Sequence, residues 1–238
     1  LKKISIIYRA CNRELNTGEF NISRPYWFCK KKCWRNFFNE FGNRSDVEIL
    51  VVFDGNENDE LASYIRKYTN NILYLNNVGN LNSLLFCYDT AKTVDSEFIM
   101  FSEDDYLWLD KSCDILIEGL DKFKTHGSVS LYHHPDRIFR NDDITLGHEY
   151  ITITNSCYWR TAESNTFTFG ISKDIFLRYY QEFINCGISD RLLFINLLKK
   201  YNFRHFVPIS ERVGATHVNR FFSTLFIDWE RYNHSINV

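Results

Sequence analysis

Three carboxylates stand side by side at Glu103-Asp104-Asp105, directly after the apolar run Phe98 to Phe101 and before Tyr106. Adjacent carboxylates repel one another, so a folded chain keeps such a cluster where a cation or hydroxyl donors satisfy it. Hard divalent ions such as Mn2+ and Mg2+ take oxygen ligands, and Mg2+ often binds through one or two carboxylates plus substrate phosphates. The plain alternative is a solvated acidic turn capping the next helix. Asp54 ends a second apolar run, Val47 to Phe53, and is followed by Gly55; Asp-Gly is also a common turn pair. Asn12 and Arg13 follow a third run, Ile4 to Tyr8. Arg13 can pair with a diphosphate by charge-assisted hydrogen bonds, or be an ordinary surface arginine. Trp159 and Arg160, with Glu163, lie in a polar stretch. Aromatic faces stack on sugar rings, which predicts an acceptor-binding loop there; an edge aromatic packed on the core is the alternative. Cys29 and Cys33 have no matched second pair, so they do not suggest zinc. His133, His134 and Asp136 are weak evidence for a metal.

The elements that must position these groups are legible in the spacing of apolar residues. Strand-like runs at Ile4–Tyr8, Val47–Phe53, Ile72–Leu75 and Glu97–Ser102 alternate with helical stretches at 27–41, 58–69, 82–92 and 111–124. Cys29, Cys33, Trp34, Phe37, Phe38 and Phe41 make one helical stripe. Asn80 or Asn82 is placed to cap the third helix. This alternation predicts crossover connections and a mainly parallel mixed sheet flanked by helices, an α/β Rossmann-like fold. In such sheets ligands bind beyond the carboxyl ends of the strands. Asn12, Arg13, Asp54, Asn80, Glu103, Asp104 and Asp105 then converge on one rim. The second half predicts a strand at 129–132, a polar loop at 133–148, strands at 150–154 and 166–172, helices at 173–183 and 190–200, and a last strand at 204–208.

The chain has 238 residues, 45% hydrophobic and 24% charged, which suits one domain with a substantial core. Lys and Arg number 28 against 30 Asp and Glu, a near-balance that argues against a dedicated nucleic-acid binder. No apolar run is long enough to cross a membrane. Lys30-Lys31-Lys32, beside Trp27, Phe28 and Trp34, can touch an acidic membrane surface peripherally, or form the solvated side of an amphipathic helix. Seven scattered cysteines read as free thiols of a reducing, cytoplasmic compartment.

The ordered set Ser5 to Arg13, Val47 to Gly55, Asn76-Asn77-Val78-Gly79-Asn80 and Phe98 to Tyr106 resembles the nucleotide-sugar glycosyltransferases of the GT-A fold, most like family two. The resemblance implies a single GT-A-like domain, with a nucleotide-sugar-binding half (1–125) and an acceptor-binding half (126–238). It implies a Mn2+- or Mg2+-dependent, inverting transfer from a nucleotide-sugar donor, with UDP favoured, to a glycan or glycoconjugate acceptor. By the family's pattern Asp105 would hold the metal and Asp104 the ribose or donor sugar, with Glu103 auxiliary. Asp54 would read the base. His217, in Gly214-Ala215-Thr216-His217-Val218, would complete the metal site or touch the diphosphate, as late histidines do in several such enzymes. Asp190, after Ser189, would take the proton from the acceptor hydroxyl; the family often writes Glu-Asp here, and Ser189 or Asp190 also suits a helix cap. Two rivals stand beside this reading. A sugar nucleotidyltransferase usually carries a Gly-rich basic loop after the first strand, and Arg9 to Arg13 has no glycine. A non-catalytic carbohydrate-binding module would use the carboxylates for Ca2+.

Overall fold

The computed structural model describes residues 2–13, 24–132, 150–162, 166–209, 214–220, 223–224 and 227–238. At its centre β1 (Lys2–Cys11) pairs in parallel with β2 (Val47–Asp54) on one side and β4 (Ser96–Glu103) on the other. β3 (Ile72–Tyr74) continues the parallel set beyond β2. Side chains alternate along a strand, so a run that is apolar throughout can bury both faces. Ile4, Ile6, Tyr8, Phe98 and Met100 pack on one face under α1 (Lys30–Phe41), α2 (Glu60–Ile65) and α4 (Ser112–Phe123). Ile7, Ile99 and Phe101 pack on the other under α3 (Asn80–Thr93), α5 (Lys173–Arg178), α6 (Tyr180–Cys186) and α7 (Asp190–Tyr201).

The same sheet continues through the second half. β9 (Phe169–Ser172) lies antiparallel between β4 and β6 (Gly127–Val129). β10 (Arg204–Ile209) runs parallel to β6 and antiparallel to β8 (Tyr158–Ala162), and β7 (Ile151–Ile153) closes that edge. Among the described residues the order is β3-β2-β1-β4-β9-β6-β10-β8-β7. A separate antiparallel pair joins β5 (Tyr106–Trp108) to β11 (Ala215–His217). A last helix, α8 (Trp229–His234), packs Trp229 with Cys33, Leu107 and Val218.

Several elements depart from the spacing. The segment holding Trp159 and Arg160 is strand β8, not an acceptor loop. Trp159 is fully buried, with its ring edge-on to Phe123 at 5.7 Å and its Nε1 donating to Thr154 Oγ1 at 3.0 Å. Gly119, inside α4, makes room for it, since a Cβ there would stand 2.7 Å from the Trp159 ring. That contact offsets the helix penalty of an interior glycine, about 1 kcal/mol. The helix expected at 173–183 is two pieces meeting at Tyr179, whose ψ of 14° breaks the helical turn. α3 begins at Asn80 with Gly79 as its N-cap, so neither Asn80 nor Asn82 caps it. β5 and β11 are three residues each, too short for a period to register. His133, His134, Asp136 and Glu163 lie outside the described residues.

Trp159 is a core anchor, so Trp159→Ala is expected to lower stability by about 3–5 kcal/mol in urea unfolding. A loss below about 1 kcal/mol would contradict its place in the core.

Candidate active site

Strand register does the first part of the assembly. In the parallel sheet Cys11 lies beside Asp54, and Arg9 beside Glu103. The carboxyl ends of β1, β2 and β4 therefore form one rim, above a cleft of about 200 Å³. The β5–β11 ladder does the rest. It sets His217 opposite Tyr106, and the backbone N–H of Val218 donates to the Asp105 carbonyl at 2.8 Å. His217 Nε2 thereby comes within 3.0 Å of Asp105 Oδ2, across 112 positions of sequence, and its ring stacks on Tyr106.

Each of the three adjacent carboxylates meets a cation from a different element. Arg9 Nη2 pairs with Glu103 Oε1 at 2.5 Å. Lys30 Nζ, at the first residue of α1, pairs with Asp104 Oδ2 at 2.8 Å, and that oxygen also accepts from the Cys11 backbone N–H at 2.9 Å. Arg24 Nη2 pairs with Asp105 Oδ2 at 2.5 Å. Burial opposes ionisation of Asp105, but the charges of His217 and Arg24 outweigh it and hold its carboxyl well below the ordinary value of 3.8. Burial likewise opposes the Lys30 charge, and the neighbouring Asp104 reverses that, so its pKa lies above the ordinary lysine range. Both oxygens of Asp54 accept backbone N–H groups, from Val78 at 2.6 Å and Gly79 at 2.9 Å. They hold a loop in which Asn76 and Asn77 both take positive φ, a conformation asparagine tolerates better than most residues.

The cleft thus gathers Arg13, Asp54, Asn80, Glu103, Asp104, Asp105 and His217. Asn80 accepts from Arg9 Nη1 through its side-chain oxygen at 2.7 Å. Asn12 does not line the cleft; its Oδ1 accepts from the Leu61 backbone N–H at the start of α2. Asp190 does not line it either. It opens α7 beside the N-cap Ser189, whose hydroxyl accepts from the Leu192 N–H. The turn before it abuts the start of α3, where a Cβ on Gly187 would lie 3.5 Å from Leu81 Cδ1. Trp159 and Arg160 are remote, with β9, β6 and β10 between β8 and β4. A buried Trp159 ring offers no face to a sugar.

Three cleft cations escaped the reading of the sequence: Arg9, Arg24 and Lys30. Lys30 carried a signal. A run of three lysines in the first turn of a helix opposes the helix dipole, so each needs a partner. Lys31 pairs with Glu60, and Lys32 donates to the Asn233 carbonyl. Lys31 pairs at the surface, while Lys30 points into the cleft. Among the described residues no helix is long and apolar enough to cross one, and all seven cysteines are free.

The donors test whether a divalent cation suits this place. Asp105 Oδ1 is buried and has no hydrogen-bond partner, and among the described residues it is the one such atom on a side chain lining the cleft. Among the described residues no three Asp, Glu, His or Cys side chains converge to form a protein-only cage. A cation held by Asp105 and His217 would draw its remaining ligands from phosphate and water, the usual Mg2+ arrangement. On that chemistry the residues fit.

No family model and no curated protein matches the chain. Solved structures do match. A nucleotidyl transferase from Methanothermobacter superposes with a TM-score of 0.54 at 10% identity, covering 99% of each chain. CMP:2-keto-3-deoxy-manno-octonic acid synthetase complexed with CTP gives 0.52 at 9% identity, covering 87% of this chain and 89% of its own. The 4-diphosphocytidyl-2C-methyl-D-erythritol synthase of Anaerococcus prevotii gives 0.51 at 13%, covering 98% and 94%. These likenesses show the α/β fold. They do not show glycosyltransferase family two, and the enzymes they name are nucleotidyltransferases, the class of the rival reading.

Asp54→Ala is expected to free the Val78 and Gly79 amides, raising their hydrogen-exchange rates by roughly tenfold for the loss of about 1–2 kcal/mol; unchanged protection would show that the loop is held otherwise. A carboxyl held low in the folded state adds stability that is complete above its unfolded value and lost as pH falls below it. The stability gap between the protein and Asp105→Asn is therefore expected to stay level from neutrality down to about pH 5 and to shrink below about pH 4. A gap that grows on acidification would reverse the assignment.

Proposed function

We propose that the chain transfers a sugar from a nucleotide-diphosphate donor, with UDP as the favoured nucleotide, to a hydroxyl of a glycan or glycoconjugate, with inversion. The observation that carries this reading is the Asp105–His217 pair with its unpartnered buried Oδ1, set at the strand ends where folds of this class bind ligands. A Mn2+ or Mg2+ ion held there would neutralise the charge gathering on the departing nucleoside diphosphate. Arg13 and Lys30, which line the same cleft, would bind phosphate oxygens. Asp104 would orient the ribose or donor sugar, and Asp54 would present the 76–79 loop to the base. Asp190 does not line the cleft, but the turn before it packs on Leu81, next to the cleft residue Asn80; from there it would accept the acceptor's hydroxyl proton as that oxygen bonds to the anomeric carbon. The bond to the diphosphate breaks in the same step, and the electron pair leaves with the phosphate.

Sugar nucleotidyl transfer is the second reading, favoured by the near full-length likeness to nucleotidyltransferases. Products separate the two. Incubation with UDP-sugars and Mn2+ is expected to release UDP, and incubation with a nucleoside triphosphate and a sugar phosphate is expected to release no pyrophosphate. Pyrophosphate without UDP would establish the second reading. Within the first reading, Asp190→Asn is expected to slow transfer roughly 10²–10⁴-fold, while the rise in melting temperature with UDP and Mn2+ is kept. Full activity in that variant would place the base elsewhere.

A further inference from the structure

Arg24 has no role in the proposed chemistry, yet it is held in the cleft from several sides. Its Nη2 pairs with Asp105 Oδ2 at 2.5 Å. Its Nη1 donates to the Val218 carbonyl at 2.5 Å and stands 3.3 Å from His217 Nε2. Its guanidinium lies over the Phe28 ring, 4.7 Å from the centroid. The side chain is mostly buried, with 18% exposed. The guanidinium thus touches both residues, Asp105 and His217, that are read as holding a metal ion, and leaves Asp105 Oδ1 without a partner.

We infer that Arg24 is the resident cation of this site and that a divalent ion binds there by displacing it. The inference rests on reading Asp105 and His217 as cation ligands. A guanidinium seated on Asp105 Oδ2 and a divalent ion taken by either oxygen of the same carboxylate would stand within about 4 Å and repel each other strongly. Without either one, the Asp105 carboxylate would be buried with only His217 beside it, an arrangement that burial penalises. Arg24 therefore keeps the site neutralised before metal arrives. A guanidinium released from Asp105 carries a planar fork of donors that matches phosphate oxygens, so a nucleoside diphosphate gives it a new partner. Metal binding to the protein alone is then weak, and the diphosphate strengthens it by accepting Arg24.

Mn2+ binding, followed by the electron paramagnetic resonance of the free ion, tests this without any turnover. Arg24→Ala and Arg24→Met are expected to bind Mn2+ about tenfold or more tightly than the unaltered protein when no nucleotide is present, within the usual range of coupling between sites. UDP is expected to tighten Mn2+ binding in the unaltered protein and to do so much less in the variants. Equal or weaker Mn2+ binding by folded variants overturns the inference and leaves the metal reading standing. Failure of every protein to bind Mn2+ even with UDP overturns the metal reading and this inference together. Should neither variant fold, the unaltered protein still decides. The Nε–H nuclear resonance of Arg24 must shift as Mg2+ and UDP bind, and a resonance that stays fixed while they bind refutes displacement.

Discussion

Three consecutive carboxylates cannot be buried side by side without cations, and that constraint organises the molecule. Glu103, Asp104 and Asp105 stand at the end of one strand, with side chains only 12–21% exposed. Each receives a cation from elsewhere, Arg9 from the neighbouring strand, Lys30 from the first turn of a helix and Arg24 from the segment before that helix, and His217 reaches Asp105 from the far end of the chain. Removing one partner from a buried pair leaves an uncompensated charge, which is far more costly than the pair is worth. The cluster is therefore a structural liability unless something at the rim needs it. Four cleft cations, Arg9, Arg13, Arg24 and Lys30, stand among its anions. This mixed surface suits a ligand that carries phosphate together with a metal ion.

The fold supplies the rigidity this arrangement needs. Parallel register fixes Arg9 against Glu103 and Cys11 against Asp54, so the rim is set by the backbone rather than by side-chain flexibility. The short β5–β11 ladder is the second fixture, since it brings His217 to Asp105. Tyr106 serves both ends, pairing by backbone with His217 and stacking under its ring. Strand ends fixed in this way need no rearrangement of their own when a charged ligand arrives; the movement inferred above is that of Arg24.

The parallel half was legible because its strands are buried on both faces and read as unbroken apolar runs. Val47 to Phe53 and Phe98 to Phe101 carry that signature, and the polar residues that end them mark the rim. Asp105 and His217 were legible as a pair only through resemblance, because nothing local tells that a three-residue strand at 215–217 returns to residue 106. Trp159 was misleading because the surrounding polarity of Thr154, Arg160 and Thr161 hides a strand whose alternate residue faces the core. Asn12 was misread because a side chain at a strand end can turn to a neighbouring helix start as readily as to the cleft. The cations that pair with the acidic cluster were the largest omission. Basic residues are common on surfaces, and only the placement of Lys30 against a helix dipole distinguished one of them.

The central claim is that Asp105 and His217 hold a cation that bridges to a nucleoside diphosphate. A crystal grown with UDP and Mn2+ tests it most directly through anomalous scattering. The account predicts one Mn2+ peak within ligand distance of Asp105 Oδ1 or Oδ2 and of a diphosphate oxygen, with His217 Nε2 on the ion or on the diphosphate. A diphosphate bound in the cleft with the manganese peak elsewhere, or with Arg24 still seated on Asp105 beside it, would contradict it.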